Sequence, residues 1–259
     1  MTDYQPFESG SWRGMRREGF AVPGGNLDAW LTQLATASNR YCASRWVVSP
    51  GEGCPWFVKV FTAASEHDSL FNRLKWQIRS SRSLHVWRIS LELQNAGFGC
   101  PEIQLAARKR TWRPFGWPTD VLVMSPVAGQ MVQTLLQTSD TEKVLDTVAS
   151  ELARFHMAGF AHGDCIPGNL FLQTDGHLAF IDNDRTMKIS SWDRAPRVRR
   201  NLVQFVFHLL RKNCVLRKNA QKFLLIYAQC VRWTQSQADR ELSRIWQWVD
   251  RRLATELSK

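Results

Sequence analysis

The chain has 259 residues, 44% of them hydrophobic, which suffices for one large domain or two small lobes with separate cores. It has no run of about 18 uncharged apolar residues and no signal-like N-terminal stretch, so we expect neither a transmembrane helix nor export. The six cysteines are scattered and form no C-x-x-C pair, which argues against a zinc site or a disulfide framework. The expected location is the cytoplasm.

The charge is strongly positive. Lys and Arg outnumber Asp and Glu by 34 to 23, giving a net charge of +11. Such an excess attracts phosphate groups on nucleic acid, on anionic lipid or on a charged substrate, and its sign alone does not distinguish these partners.

The first half of the chain reads as mainly β. Residues 26–38 have helical apolar spacing with Asn26 as a plausible N-cap. Two strand-like runs follow, "RYCASRWVVS" and "PWFVKVF", joined by a "PGEG" turn, and Lys59 lies in the second run. A basic helix is expected from about Leu70 to Ala96, ending at Gly97. "GCPEIQLAARKR" and "DVLVMSPVAGQ" read as further strands.

The second half reads as mainly helical. Its apolar faces comprise Val144, Leu145, Val148, Leu152 and Phe155, then Leu202, Phe205, Val206, Leu209 and Leu210, and two further helical stretches at Phe223–Val231 and Leu242–Leu253. The change of character near Ser125–Gly129 predicts an α+β protein with two lobes, residues 1–125 and residues 126–259.

The stretch at 159–185, "GFAHGDCIPGNLFLQTDGHLAFIDNDR", is expected to be the only strand-like part of the second half. Its two short apolar runs predict a β-hairpin. Asp164 and Asn169 lie on the loop before it, and Asp182 follows its second strand. Carboxylate and amide oxygens at the ends of a hairpin suit Mg²⁺, which takes one or two carboxylates and completes its shell with water and phosphate.

This arrangement resembles the protein-kinase-like superfamily. "HGDCIPGN" matches a catalytic loop with Asn five positions after Asp, "IDND" occupies the place of the metal-binding Asp, and "FVKVF" looks like the strand with the phosphate-binding Lys. The resemblance implies a β-rich N-lobe, a mainly α C-lobe and an active site in the cleft. It further implies that Asp164 accepts the proton of the acceptor hydroxyl, Asn169 and Asp182 hold Mg²⁺, and Lys59 contacts the phosphates of ATP.

Other segments are similar to the bacterial lipopolysaccharide kinase group, whose members phosphorylate inner-core heptose or 3-deoxy-D-manno-octulosonic acid (Kdo). These are "IDNDR", "RVRRNLVQFVFHLLRK" and "SLHVWRISLELQNAGFGCPEI". The resemblance implies an anionic lipid-linked saccharide as substrate and a position in the cytoplasm or peripherally on the inner membrane. The basic segments "RLKWQIRSSRSLHVWR" and "RAPRVRRN" would then face the lipopolysaccharide core or the anionic leaflet. We expect no nucleic-acid partner.

Two alternatives remain open. "HGDCIPGN" also resembles the aminoglycoside and choline phosphotransferases, although the Arg excess argues against a cationic substrate. A pseudokinase that serves as a binding module is the other, because the position expected to hold the Glu partner of Lys59 is Val86. Glu92 lies on a different helix face, and Glu66 or Asp68 could replace the missing carboxylate.

Overall fold

The computed structural model describes residues 3–22, 24–36, 42–48, 55–62, 81–109 and 118–258. The chain forms two compact units. The first contains residues 1–92 and 101–126, and the second contains residues 93–100 and 127–259. The short segment 93–100 thus belongs to the second unit although both of its neighbours in sequence belong to the first.

The first unit is built on an antiparallel sheet. Its six strands are β1 (Tyr4–Ser9), β2 (Trp12–Arg17), β3 (Cys42–Val48), β4 (Pro55–Thr62), β5 (Ile103–Lys109) and β6 (Thr119–Met124), in the spatial order β1-β2-β5-β6-β4-β3. The predicted strands β3 to β6 are confirmed. The β1–β2 hairpin was not predicted from the sequence, and the predicted "PGEG" turn lies outside the described residues.

Side chains alternate between the two faces of the sheet along each strand. Apolar side chains lie on both faces, and a helix packs against each. On one face, α1 (Leu27–Thr36) packs Trp30 against Trp56 and Val58 of β4. On the other face, Val86 of α2 (Arg82–Asn95) packs against Phe61. The predicted helix at 26–38 is confirmed as α1, and the Asn26 side chain accepts the Ala29 N–H at 3.0 Å as an N-cap.

Both ends of α2 have a clear physical cause. At its start, Asp120 of β6 accepts the Arg82 N–H at 2.6 Å, and burial raises the pKa of this carboxyl group. At its end, Gly97 adopts a φ of 76°, a conformation that costs glycine little and so ends the helix. The prediction of one continuous helix from about Leu70 to Ala96 is wrong at Ser81, which is not helical, and α2 begins at Arg82. The part predicted for residues 70–80 lies outside the described residues, and the predicted end before Gly97 is confirmed.

The second unit is mainly helical. Its helices are α3 (Val132–Thr138), α4 (Thr141–Met157), α5 (Arg194–Arg211), α6 (Arg217–Cys230) and α7 (Gln235–Leu257). The apolar residues predicted to face the core from α4 are all buried, as are those of α5 except the partly buried Leu210. Together with the sheet of the first unit, this confirms the α+β class. No helix in the described part of the chain is long and apolar enough to cross a membrane.

Short strands interrupt these helices. The predicted hairpin is present as β9 (Leu170–Leu172) and β10 (Leu178–Phe180), and β7 (Gln130–Met131) adds a third strand beside β9. A separate pair joins β8 (Phe160–Ala161) to β11 (Met187–Lys188). The expectation that 159–185 holds all the strand-like structure of this half was therefore wrong, because β7 and β11 lie outside that range.

An aromatic cluster lies beneath the hairpin. Phe155 of α4 stacks on Phe180 of β10 with ring centroids 4.1 Å apart, and Phe98 meets Phe155 edge-on at 5.3 Å. The guanidinium of Arg154 lies 4.1 Å from the centre of the Phe98 ring. These contacts attach segment 93–100 to the second unit.

Glu151 of α4 ties the hairpin to the same helix. Glu151 is 8% exposed, and its carboxylate receives two hydrogen bonds of 2.9 Å from Arg154 and accepts the Leu178 N–H at 3.0 Å. Burial alone would raise the pKa of Glu151, but these hydrogen bonds and the Arg154 charge hold it below the ordinary value of 4.5. The carboxylate is therefore charged at neutral pH.

We expect Glu151→Gln to lower the free energy of unfolding by about 1–3 kcal/mol, because an amide cannot accept all three hydrogen bonds. Chemical denaturation at pH 7 measures this loss. The matched control is Glu142→Gln, which removes the exposed pair between Glu142 and Lys222 and should cost less than about 1 kcal/mol. Equal losses in the two variants would contradict the role given to Glu151.

Candidate active site

The loop after β8 fixes the carboxylate of Asp164 from two sides. Asn169 Nδ2 donates to Asp164 Oδ2 at 3.3 Å and to the Asp164 carbonyl oxygen at 2.9 Å. Gln204 of α5 donates to Asp164 Oδ1 at 3.0 Å. Each carboxylate oxygen thus accepts one hydrogen bond, which sets the direction of the group and leaves further lone pairs available.

Asp182 lies where β10 ends. It adopts a left-handed conformation, φ 60° and ψ 49°, which is uncommon for a residue other than glycine. Its side chain does not cap the short 3₁₀ helix Asn183–Arg185 that follows. The loop is joined to this position directly, since the Ile181 N–H donates to the Asn169 carbonyl oxygen at 3.0 Å.

Asn183 closes the turn behind Asp182. Its side chain is 2% exposed, donates to the Phe180 carbonyl oxygen at 2.7 Å and accepts the Thr186 hydroxyl at 2.9 Å. Asn183 is therefore committed to the turn and is not exposed to ligands.

His162 holds the loop and the end of β10 together. Its Nδ1 accepts the Asp164 N–H at 3.1 Å, and its Nε2 lies 2.9 Å from the Ile181 carbonyl oxygen. These partners define a neutral imidazole with the proton on Nε2. Burial lowers the pKa of His162, although nearby Asp182 and Asp164 act to raise it. These hydrogen bonds give His162 a structural role.

A buried polar chain supports His162 from behind. Asn201 of α5 accepts the His162 N–H at 2.8 Å and donates to the His162 carbonyl oxygen at 2.5 Å. The same Asn201 Oδ1 lies 3.1 Å from His156 Nε2, and His156 Nδ1 lies 2.8 Å from the Tyr227 hydroxyl. Burial lowers the pKa of His156 to about 4, so this ring is neutral too.

Side chains of α5 contribute to the candidate site, and this contribution was not predicted from the sequence. Asn201, Gln204 and His208 recur at spacings of three and four residues, so they form a polar stripe beside the apolar face. Asn201 and Gln204 hydrogen-bond to the loop of Asp164, and the carboxylate of Asp164 interacts electrostatically with His208. A polar stripe at helical spacing beside a buried apolar one is the sequence signal that would have revealed them.

Gly163 is required by close packing. A Cβ atom built at this position would lie 1.9 Å from the Arg185 Cβ and 2.5 Å from the Arg185 carbonyl oxygen. No side chain fits there without moving the backbone that follows Asp182. The glycine of "HGD" therefore lets two segments of the site pack closely.

Lys59 belongs to the first unit. It lies on β4, is 8% exposed, and shares its strand face with Phe57 and Phe61. Val86, at the position expected for its Glu partner, is 2% exposed in the cluster that contains Phe61. The proposed substitutes Glu66 and Asp68 lie outside the described residues.

Two side chains in this region carry oxygen atoms of the kind that Mg²⁺ prefers. The amide nitrogen of Asn169 is used by Asp164, so its Oδ1 would be the atom available to a metal, and Asp182 would supply a carboxylate. Within the described ranges, no cluster of three or more His, Cys, Asp or Glu residues could hold a metal. Mg²⁺ does not need one, since water and substrate phosphates complete its shell. Cys165 is fully buried and burial raises the pKa of its thiol, as expected of a packing residue.

Two solved structures are similar to the chain. A solved structure of WaaP in complex with acyl carrier protein matches with a TM-score of 0.55 at 17% identity, covering 86% of this chain and 91% of that one. WbdD, solved with the kinase inhibitor LY294002, matches with a TM-score of 0.47 at 21% identity, covering 81% of this chain and 44% of that one. No curated protein sequence is significantly similar to the chain.

The fold is thus the protein-kinase-like fold of WaaP, as predicted. A sequence profile of the lipopolysaccharide kinase (Kdo/WaaP) family matches residues 53–227, more than half of the chain. The chain belongs to this family, which confirms the predicted family and the predicted enzyme class, a kinase.

The buried neutral His156 makes stability depend on pH. The unfolded chain binds a proton at His156 near pH 6.5, whereas the folded chain does so only near pH 4. Stability is therefore full above pH 6.5 and falls with the pH through this window, by about 2 kcal/mol at pH 5.

Chemical denaturation of wild type and His156→Gln at pH 7 and pH 5 measures this effect. The variant is expected to lose less stability between the two pH values, whatever its stability at pH 7. An equal pH dependence in the two proteins would contradict the assignment.

Proposed function

We propose that this protein transfers the γ-phosphate of ATP to a sugar hydroxyl of the lipopolysaccharide inner core, on heptose or Kdo. The observation that carries the proposal is the fixed carboxylate of Asp164, held by Asn169 and Gln204 on a loop hydrogen-bonded to the end of β10. Membership of the lipopolysaccharide kinase family supports the class of reaction and the saccharide acceptor.

Asp164 would orient the acceptor hydroxyl and take its proton. Its oxygens already accept hydrogen bonds from amide groups, which keep the carboxylate in place without neutralising it. Phosphoryl transfer requires chiefly this positioning, together with neutralisation of the phosphate charges.

Asn169 and Asp182 would hold Mg²⁺, and Lys59 would contact the phosphates of ATP. A bound Mg²⁺ neutralises charge on the phosphate oxygens. The left-handed backbone of Asp182 and the hydrogen-bonded turn at Asn183 fix the position of the Asp182 Cα, from which its carboxylate extends. The buried stem of Lys59 likewise restricts where its ammonium can lie.

The charge of the second unit supports an anionic acceptor. Arg185, directly after the Asp182 turn, and Arg200 on α5 are exposed. Such groups attract phosphate and carboxylate groups of a lipopolysaccharide core and would repel an aminoglycoside.

We expect the full chain to transfer labelled phosphate from Mg-ATP to purified inner-core lipopolysaccharide. Truncated acceptors that contain Kdo alone, or Kdo with heptose, distinguish the two sugars. Asp164→Asn should lower kcat by about 10²-fold or more, as is usual for loss of a general base. Asp182→Asn should abolish the thermal stabilisation by Mg-ATP.

The matched control for these variants is Asp175→Asn, in the exposed turn of the same hairpin, which should keep wild-type activity. Phosphate transfer to an aminoglycoside, and not to the saccharide, would contradict the proposed acceptor. Absence of Mg-ATP binding would favour a pseudokinase.

We expect Gln204→Leu to lower kcat about tenfold while leaving KM for the acceptor nearly unchanged. The substitution removes one hydrogen bond that positions the Asp164 carboxylate, worth about 1.5–3 kcal/mol when the acceptor is charged. Steady-state kinetics and the melting temperature are measured together. A control, Gln229→Leu on the exposed surface of α6, should change neither value. If the loss lies in KM or follows the melting temperature alone, Gln204 does not position Asp164.

A further inference from the structure

The second unit contains a cavity that is separate from the candidate catalytic and metal-binding residues. It has a volume of about 350 Å³ and lies among the end of α4, the start of α5, the end of α6 and the start of α7. Lys59, Asp164, Asn169 and Asp182 do not line it. The space exceeds that of a single phosphate ion and admits a larger head group.

The cavity wall is positively charged. Arg194, Arg199 and Arg240 line it together with one carboxylate, Glu241. Arg199 binds Glu241 at 2.6 Å and Arg240 lies 3.6 Å from it. In the described part of the chain no carboxylate pairs with Arg194, and His156 at the wall is neutral. The surplus of positive charge fits an anionic group, phosphate above all, since guanidinium matches its geometry.

Several of the remaining lining residues are apolar. Val198, Val231 and Trp233 line the cavity, and Met157 at its edge is 50% exposed. Trp192 lies between the lining residues Ser191 and Arg194 and is 93% exposed, although a Trp side chain carries a large apolar area. Trp is enriched at membrane–water interfaces, where its ring lies at the level of the head groups. Asp193, which stands between Trp192 and Arg194, pairs with Arg197 at 3.3 Å.

We propose that this cavity is a second binding site, for the phosphate head group of an anionic lipid, with Trp192 inserting into the interface at its mouth. The positive wall binds the phosphate, and the apolar residues contact the glycerol and the start of the acyl chains. The site places the second unit on an anionic membrane surface. The proposal does not rest on the kinase reaction, because the cavity uses none of the residues assigned to it.

The floor of the cavity reaches the loop of Asp164 through hydrogen bonds. Tyr227 and His156 line the cavity and bond to each other, and His156 bonds to Asn201, which holds His162. A lipid in the cavity therefore lies against the same buried polar chain that supports the catalytic loop.

Vesicle sedimentation with the full chain tests the site. We expect stronger binding to vesicles of phosphatidylglycerol and phosphatidylcholine than to phosphatidylcholine alone. Arg194→Gln with Arg240→Gln should weaken binding about tenfold or more, since each basic residue near an anionic surface contributes about fivefold. Trp192→Ala should weaken it as well.

Matched controls separate the site from general attraction to a basic protein. Lys218→Gln with Arg251→Gln removes two exposed charges elsewhere, and Trp248→Ala removes an exposed Trp of α7. Both should bind nearly as wild type does. Asp164→Asn should also bind normally, so a failed kinase assay leaves this result intact.

Three outcomes would overturn the proposal. Controls that lose as much binding as the cavity variants would show attraction without a site. Equal binding to phosphatidylcholine alone would exclude recognition of the anionic head group. Inorganic phosphate that protects residues 191–199 and 233–241 from hydrogen exchange as fully as phosphatidylglycerol vesicles do would identify free phosphate as the ligand.

Discussion

The arrangement of the candidate active site depends on the carboxamide of Asn201. The side chain of Asn201 on α5 hydrogen-bonds both the N–H and the carbonyl oxygen of His162. These two bonds fix the backbone of His162 relative to α5. The ring of His162 then bonds the Asp164 N–H on one side and the Ile181 carbonyl oxygen on the other. The loop of Asp164 and the strand that ends at Asp182 thus share one anchor. Buried amides tolerate few alternatives, because each unpaired group costs about 1–3 kcal/mol.

This anchor works only while both histidines are neutral. Protonation of His162 would place a second donor on Nδ1, facing the Asp164 N–H, and the bond would become a repulsion. Two nearby carboxylates, Asp164 and Asp182, act to protonate the ring, and burial outweighs them. Burial disfavours the charged imidazolium, and this keeps Nδ1 of His162 free to accept the Asp164 N–H although two carboxylates lie nearby.

The sequence predicted what depends on periodicity and spacing. The helix at Leu27–Thr36, the apolar face of α4 and the hairpin β9–β10 each repeat over enough residues to be recognised. Pairs of two-residue strands such as β8 and β11 have no repeat to detect, since they form only when distant segments meet. The roles of Gln204 and Gly163 depend likewise on which residue lies opposite. Only the fold shows that Arg185 occupies the space into which a side chain at position 163 would project.

The turn after Asp182 is held by its own hydrogen bonds, since Asn183 makes directional bonds to Phe180 and Thr186. The turn is therefore closed locally, and its residue Arg185 lies against Gly163 of the Asp164 loop. The hydrogen bonds of a single turn and one missing side chain thus place the Asp182 segment directly against the Asp164 loop.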